Sequence, residues 1–179
     1  MRVAADKAGR WVQCRGVLTQ TLTFRPITLP ADAARVLTYY RDACRATFGA
    51  AEFERRLDPP GRYLADLARR IEEFPDGHLL AFAAGRRCVG QLELQVPYGL
   101  SVGYVNLFYV SPLVRRRGYG RLLQARAEQY CRSWEATRVE LHVSPSNLPA
   151  MQFYEAMGYA IVGREGELMR MGKEVGSGQ

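Results

Sequence analysis

An α/β fold built on a mixed sheet is predicted by three observations. At 179 residues the chain has the length of one compact domain. Its composition, 47% hydrophobic and 24% charged, is that of a globular protein and excludes wholesale disorder or a collagen-like repeat. Its apolar period switches between two and 3.6 in the order β-α-α-β-β-β-α-β-α-β-β, with no internal repeat or low-complexity tract apart from a small polar tail.

Residues 1–20 show neither period and hold four cations against one acid. They are expected as an extension, free to be flexible, before a single domain over 21–173, with a tail over 174–179. Thr21–Arg25 is β-rich and stops at Pro26, after which Asp32 can cap a helix carrying Val36, Leu37, Tyr40, Cys44 and Phe48 on one face. Ala50–Leu57 and Arg62–Phe74 predict two further helical pieces, separated at Asp58-Pro59-Pro60-Gly61, where paired prolines cannot continue a helix. His78–Ala84 and Cys88–Val96 predict a hairpin across Gly85-Arg86-Arg87. Tyr104–Val110 is an almost continuous β-branched and aromatic run, as expected of a strand covered on both faces, and Ser111-Pro112 ends it.

Gly118–Trp134 is the longest helical candidate, with Leu123, Ala127, Tyr130, Cys131 and Trp134 in one stripe, so Trp134 is expected in the core. Arg138–Val143 predicts another strand, in which His142 alternates with Leu141 and Val143 and is expected on the opposite face as a structural histidine. Ser146 or Asn147 then caps a helix with Pro149 in its first turn and Gly158 at its close. Tyr159–Arg164 and Glu167–Lys173 make a last strand pair across Glu165-Gly166.

Several function classes are excluded early. Cys14, Cys44, Cys88 and Cys131 are widely spread without a C-x-x-C, and the two histidines, His78 and His142, are far apart, which excludes a paired-spacing zinc site. Reduced thiols are the expectation for a chain of this length. No run approaches the roughly eighteen apolar residues of a membrane span, and 1–20 lack the apolar core of a signal peptide, so a soluble, cytoplasmic protein with no membrane partner is expected.

Charge is uneven along the chain. Lys and Arg total 25 against 18 Asp and Glu, a net +7, and every cation except Lys7 and Lys173 is arginine. Coding bias accounts for an arginine-rich composition but not for clustering: from Leu94 to Ala127 there is no acid, while Arg115, Arg116, Arg117, Arg121 and Arg126 fall inside. At the centre of this stretch a buried strand ends, a short loop follows, and Gly118-Tyr119-Gly120 opens a long helix. Glycines let the backbone turn tightly, so N–H groups at a helix N-terminus can converge on a phosphate while arginines supply formal charge. The third glycine of G-x-G-x-x-G is missing and there is no G-K-[ST], which argues against dinucleotide and nucleotide-hydrolase loops.

The segment Arg115-Arg116-Arg117-Gly118-Tyr119-Gly120 instead resembles motif A, [QR]-x-x-G-x-[GA], of the GNAT superfamily of N-acetyltransferases. The preceding strand, ending Leu107-Phe108-Tyr109-Val110-Ser111-Pro112, is similar to the L-x-V-x-P strand of that family. Asn147 followed by Ala150, Phe153-Tyr154 and Gly158-Tyr159 looks like its motif B, N-x-x-A-x-x-F-Y-x-x-x-G-[FY]. The resemblance covers roughly 21–173 and is specific from Val105 to Gly163. It implies a mixed, mostly antiparallel sheet of six to seven strands with a central splay between two parallel strands and helices on both faces. It also implies acetyl-CoA as co-substrate, with no metal, and direct transfer of an acetyl group to a primary amine of a small molecule, protein or peptide.

Carried over residue by residue, the resemblance implies that backbone groups near Tyr109 and Val110 pair with the pantetheine arm. The turn of Arg115, Arg116, Arg117, Gly118, Tyr119, Gly120 and Arg121 would take the pyrophosphate, and Asn147 would help hold the cofactor arm. Tyr154 would protonate the departing thiolate, although Phe153, Tyr154 and Met157 also fit a core stripe. Many relatives place a glutamate on the strand before the loop; here Asn106 stands where a carboxylate would be. Glu93, on the adjoining strand, is the alternative base, against the plain view of a solvated strand residue, and a water relay through Asn106 or backbone carbonyls is the other. Tyr39, Tyr40 and Tyr98 lie in segments that form the acceptor side in similar proteins, where aromatic residues commonly only pack. A non-catalytic acyl-CoA-binding module, an acetyltransferase acting on an RNA-linked amine, and a nucleic-acid binder are the other readings. The last rests on net charge alone, with no nucleic-acid motif. A homodimer stays open.

Overall fold

The computed structural model describes residues 3–5, 11–15, 18–55, 60–83 and 87–176. In chain order the elements are β1 Val3–Ala5, β2 Trp11–Arg15, β3 Leu18–Pro26, α1 Ala33–Phe48, α2 Ala50–Arg55, α3 Pro60–Glu73, β4 His78–Ala83, β5 Arg87–Gln95, β6 Val102–Val110, α4 Tyr119–Ser133, β7 Arg138–Val143, α5 Leu148–Ala156, β8 Ala160–Glu165 and β9 Leu168–Glu174. All nine strands join one sheet in the order β1-β2-β3-β4-β5-β6-β7-β9-β8. Neighbours are antiparallel except β6 and β7, which are parallel because the chain returns through the α4 crossover.

Strands β3 to β9 are the seven expected from the sequence. Residues 3–5 and 11–15 add two strands to the six or seven expected: β1 pairs with β2, and β2 with β3 from Trp11↔Leu22 to Arg15↔Leu18. Strands of 3 and 5 residues are too short to display a period of two in the sequence.

The two faces of the sheet are built differently. On one, Leu92 and Leu94 of β5 and Val96 just after it pack with Ala127, Tyr130 and Cys131 of α4 and with Tyr154 and Tyr159; Leu22, Ala81 and Val89 pack with Leu122 and Leu123 beside them. On the other, Val36 of α1 and Tyr63 and Leu67 of α3 close over Ile27 and Leu80. The intervening β5 residues Gln91 and Glu93 also face α3, where both are buried.

Local chemistry adjusts three expectations. Asp32 does stand at the N-cap of α1, but its carboxylate makes no capping bond; it accepts the two arms of Arg25 at 2.8 Å and the Thr28 N–H at 2.9 Å, tying β3 to the helix. The Arg25 hydrogen bonds hold its carboxyl below the ordinary range. Helix α3 begins at Pro60, because a proline in the first turn forfeits an N–H that has no helical partner. Trp134 is not core: it lies just past the end of α4, 47% exposed, touching Phe74 and Tyr130 by ring edges. His142 does face outward, its Nε2 3.0 Å from Glu165 Oε2.

Candidate active site

The parallel pair β6–β7 runs from Val102↔Arg138 to Val105↔Leu141 and then stops, although β6 continues to Val110. At the same point the β5–β6 register slips, from Glu93↔Leu107 to Leu94↔Val105, leaving Asn106 as the extra residue of a bulge. A bulge sharpens strand twist, so the strand separation and the bulge belong to one local distortion. Beyond it, 106–110 offer on the β7 side a backbone edge with no strand partner among the described residues, the arrangement to which an extended ligand can add. Tyr109 and Val110 lie on this edge. The Tyr109 side chain points away, stacked on Tyr39 and donating to Asp42 Oδ2 at 2.9 Å.

The chain then passes through a 3-10 turn, Pro112–Val114, into the turn that opens α4. Gly118 is the N-cap, at φ +92, a left-handed conformation natural to glycine, and Arg116 adopts φ +63. Among the described residues no acid pairs with Arg116, Arg117 or Arg121, and the first turn of α4 contains none. Arg115 is used differently, its Nε donating to the Val110 carbonyl at 2.9 Å and clasping the turn onto β6. Gly120 sits against a ring: a Cβ there would lie 3.0 Å from Phe153 Cε2. Tyr119 is half-buried and packs on the Leu122–Leu123 cluster.

That contact brings in α5. Asn147 is its N-cap and accepts the Ala150 N–H at 3.4 Å. Tyr154 is buried, its ring in edge contact with Phe108 of β6 at 6.0 Å, with Phe153 at 5.4 Å and with Tyr159 at 5.4 Å. Its ring therefore spans from α5 to the unpaired part of β6. Among the described residues its hydroxyl has no hydrogen-bond partner, and burial alone pushes the phenol pKa well above its ordinary value.

Glu93 is only 1% exposed, which corrects the view of it as a solvated strand residue. One carboxylate oxygen accepts from the Tyr63 hydroxyl at 2.6 Å and from Gln91 Nε2 at 2.7 Å; the other accepts from Arg70 at 2.8 Å. It is thus an anchor for α3, whose residues 63 and 70 are about two turns apart on one face. In front of this anchor lies a cavity of about 310 Å³ lined by Arg69, Arg70, Glu73 and Phe74 at the end of α3, Gln95 of β5 and Asn106 of β6. Asn106 joins this cavity on one face of the sheet to the bulge at the strand opening.

Arg69, Arg70, Glu73 and Gln95 are not among the candidates the sequence offered. One signal was present: Arg70 follows Tyr63 and Leu67 in the inward stripe of α3, where a cation requires a buried partner. Tyr39 and Tyr40 pack, on Tyr109 and on Tyr63 at 3.9 Å, whereas Tyr98 stands fully exposed in the turn after Pro97.

Comparison with known proteins agrees with this fold. Mycothiol acetyltransferase of Acidothermus cellulolyticus is 30% identical over 172 residues, covering 86% of this chain and 52% of that protein, so the chain spans about half the length of this curated relative. PaiA N-acetyltransferase of Thermoplasma acidophilum, crystallised with coenzyme A, superposes with a TM-score of 0.70 at 18% identity over 86% of this chain and 98% of that one. Spermidine N-acetyltransferase of Vibrio cholerae, crystallised with CoA and spermine, gives 0.66 at 18% identity over 86% and 95%. At these identities the structures speak for the fold. The acetyltransferase (GNAT) family model matches residues 38–159, from α1 through the strand opening and the arginine turn to the end of α5, and the chain belongs to that family.

Proposed function

We propose that the protein transfers an acetyl group from acetyl-CoA to a primary amine of a small molecule or peptide. The observation that carries this reading is the meeting of an unpaired β6 edge, an acid-free arginine turn and the Tyr154 ring at one strand opening. A helix N-terminus with unpaired arginines suits a pyrophosphate, since cations there are unfavourable unless an anion offsets them. Arg116, Arg117 and Arg121, with the backbone from Gly118 to Gly120, would hold it. The β6 edge at Tyr109 and Val110 suits the amide-bearing pantetheine arm, and Asn147 stands at the facing helix start. Spermidine, named in one structural relative, is an amine, in accord with an amine acceptor.

Acetyl-CoA supplies an activated acyl group; the protein supplies placement and protons. In the balanced reaction the amine nitrogen bonds to the acetyl carbon, the carbon–sulfur bond breaks, the sulfur takes a proton and the nitrogen gives one up. Tyr154 is the donor in this reading: its phenol is protonated at neutral pH, and because burial raises it above its ordinary value, donation to a thiolate whose conjugate acid lies near ~8.5 needs assistance from the site. Glu93 suits the base role poorly, because both its oxygens are engaged. In this reading a water held by Asn106, the bulge residue, accepts the amine proton. Thiols without a disulfide at Cys88 and Cys131 accord with a cytoplasmic setting.

The test is heat-stabilisation by acetyl-CoA together with thiol release across an amine panel. Stabilisation with release supports the reading. Absence of both removes it, and stabilisation without release would replace transfer by acyl-CoA binding alone.

A further inference from the structure

The cavity beside Asn106 constrains the acceptor. Resting on the acetyl-transfer reading, we infer that the acceptor is a small amine that also carries a carboxylate, its acid held on Arg69 and its ammonium drawn to Glu73, from which it releases one proton to solvent before the neutral nitrogen attacks. Of the two arginines in the wall, Arg70 is already balanced, since Glu93 accepts from it at 2.8 Å from a position closed to solvent. Arg69 is not balanced in this way: its acidic neighbour Asp66 lies 3.7 Å away, with both side chains largely exposed, a weak pair. Arg69 and Glu73 are four residues apart on α3, so they present one positive and one negative group about one helical turn apart. The amides of Gln95 and Asn106 complete a polar wall.

A zwitterion meets both charges. A polyamine instead brings several cations to a wall with two arginines and a single carboxylate. The size agrees, because about 310 Å³ is at the lower end of ligand cavities, room for a small molecule or one terminus of a peptide. Because Asn106 belongs to both the cavity wall and the bulge, an acceptor held there abuts the opening between β6 and β7.

The test is thiol release from acetyl-CoA by the full chain with matched acceptors: alanine against alaninamide, 4-aminobutyrate against butylamine, and spermidine. The carboxylate member of each pair should show at least tenfold higher kcat/KM, with spermidine poorest. Arg69→Glu, at an exposed helix position, should lower kcat/KM for the carboxylate members at least tenfold through KM and improve spermidine, while acetyl-CoA stabilises the variant as it does the parent. Equal rates within pairs, spermidine as the best acceptor, no release with any carboxylate member, or a preference unmoved by Arg69→Glu would each overturn the inference. Acetyl-CoA stabilisation of the parent separates the failures: if it persists, only the acceptor assignment falls, and if it is absent, acetyl transfer falls with it.

Discussion

Replacing Glu93 separates an anchoring role from a chemical one. Glu93→Ala removes the acceptor of three hydrogen bonds, from Tyr63 at 2.6 Å, Gln91 at 2.7 Å and Arg70 at 2.8 Å, and leaves Arg70, whose side chain is 19% exposed, without its counter-charge. Breaking one side of a buried ion pair costs about 3–5 kcal/mol. For a chain of this size each kcal/mol moves the melting temperature by about 2–4 °C, so a fall of roughly 6–20 °C is expected. Glu93→Gln keeps the shape and some of the bonds, and should lose about 1.5–3 kcal/mol. Glu93→Leu combined with Arg70→Met should recover much of the loss, because a well-packed apolar pair often replaces a buried ion pair without cost. Melting followed by far-UV circular dichroism at pH 7 reads all three. An anchor predicts raised acceptor KM with kcat largely kept in Glu93→Gln; a general base predicts collapsed kcat in a protein that melts normally. A Glu93→Ala variant melting within about 2 °C of the parent would refute the anchor.

Tyr154→Phe should lower kcat by roughly 10²–10⁴ while leaving acetyl-CoA affinity and melting temperature in place, since the hydroxyl has no partner among the described residues; an unchanged kcat removes it as the proton donor. Gly120→Val places a branched side chain where a Cβ already lies 3.0 Å from Phe153 Cε2 and 3.2 Å from its Cζ. Overpacking of about 1–3 kcal/mol and loss of the acetyl-CoA thermal shift are expected, and a full shift would place the anion site elsewhere. Burial raises the phenols of Tyr63, Tyr109, Tyr130, Tyr154 and Tyr159 above the value near ~10 of an unfolded chain. A raised folded value means the stabilisation is whole below pH ~10 and is lost as pH climbs past it. Absorbance at 295 nm should show these tyrosines ionising together with unfolding; all ten ionising near pH 10 with circular dichroism intact would contradict their burial.

The sheet and the arginine turn were legible because their signals are local. The run Tyr104–Val110, the breaker Ser111-Pro112 and the glycines at 118 and 120 each act on their immediate neighbours, so order in sequence becomes order in space. The cavity was not legible for the opposite reason: Arg69, Arg70, Glu73, Gln95 and Asn106 meet only after α3 folds over β5 and β6. Strand β5 shows the difficulty most clearly. Gln91, Glu93 and Gln95 alternate with Leu92 and Leu94, a pattern that signals one solvated face, yet α3 covers that face and turns Gln91 and Glu93 into a buried polar layer. Trp134 failed by a single residue, since the helical stripe continues in sequence past the point where α4 stops at Ser133.

The arginine turn carries two costs at the same place. Arg116 holds φ +63, a left-handed backbone that costs a side-chain-bearing residue about 1–2 kcal/mol. Beside it, Arg116, Arg117 and Arg121 bring positive charge to a helix end that is itself partly positive, without a compensating acid among the described residues; such placement is unfavourable by about 0.3–1 kcal/mol per charge. A stretch selected only for stability would relieve either cost with a glycine or an acid. On the proposed reading, a bound pyrophosphate would offset the charge term directly and give the local turn a ligand to wrap, so both costs would become part of the binding equilibrium. The same reasoning limits the partner's size. The charge that needs an anion is confined to one helix start opposite Tyr154 and the β6 edge, where a small ligand meets all of it. An extended polyanion would require more of the surface, and the rest of the chain contributes only about +2 once the acid-free stretch is set aside.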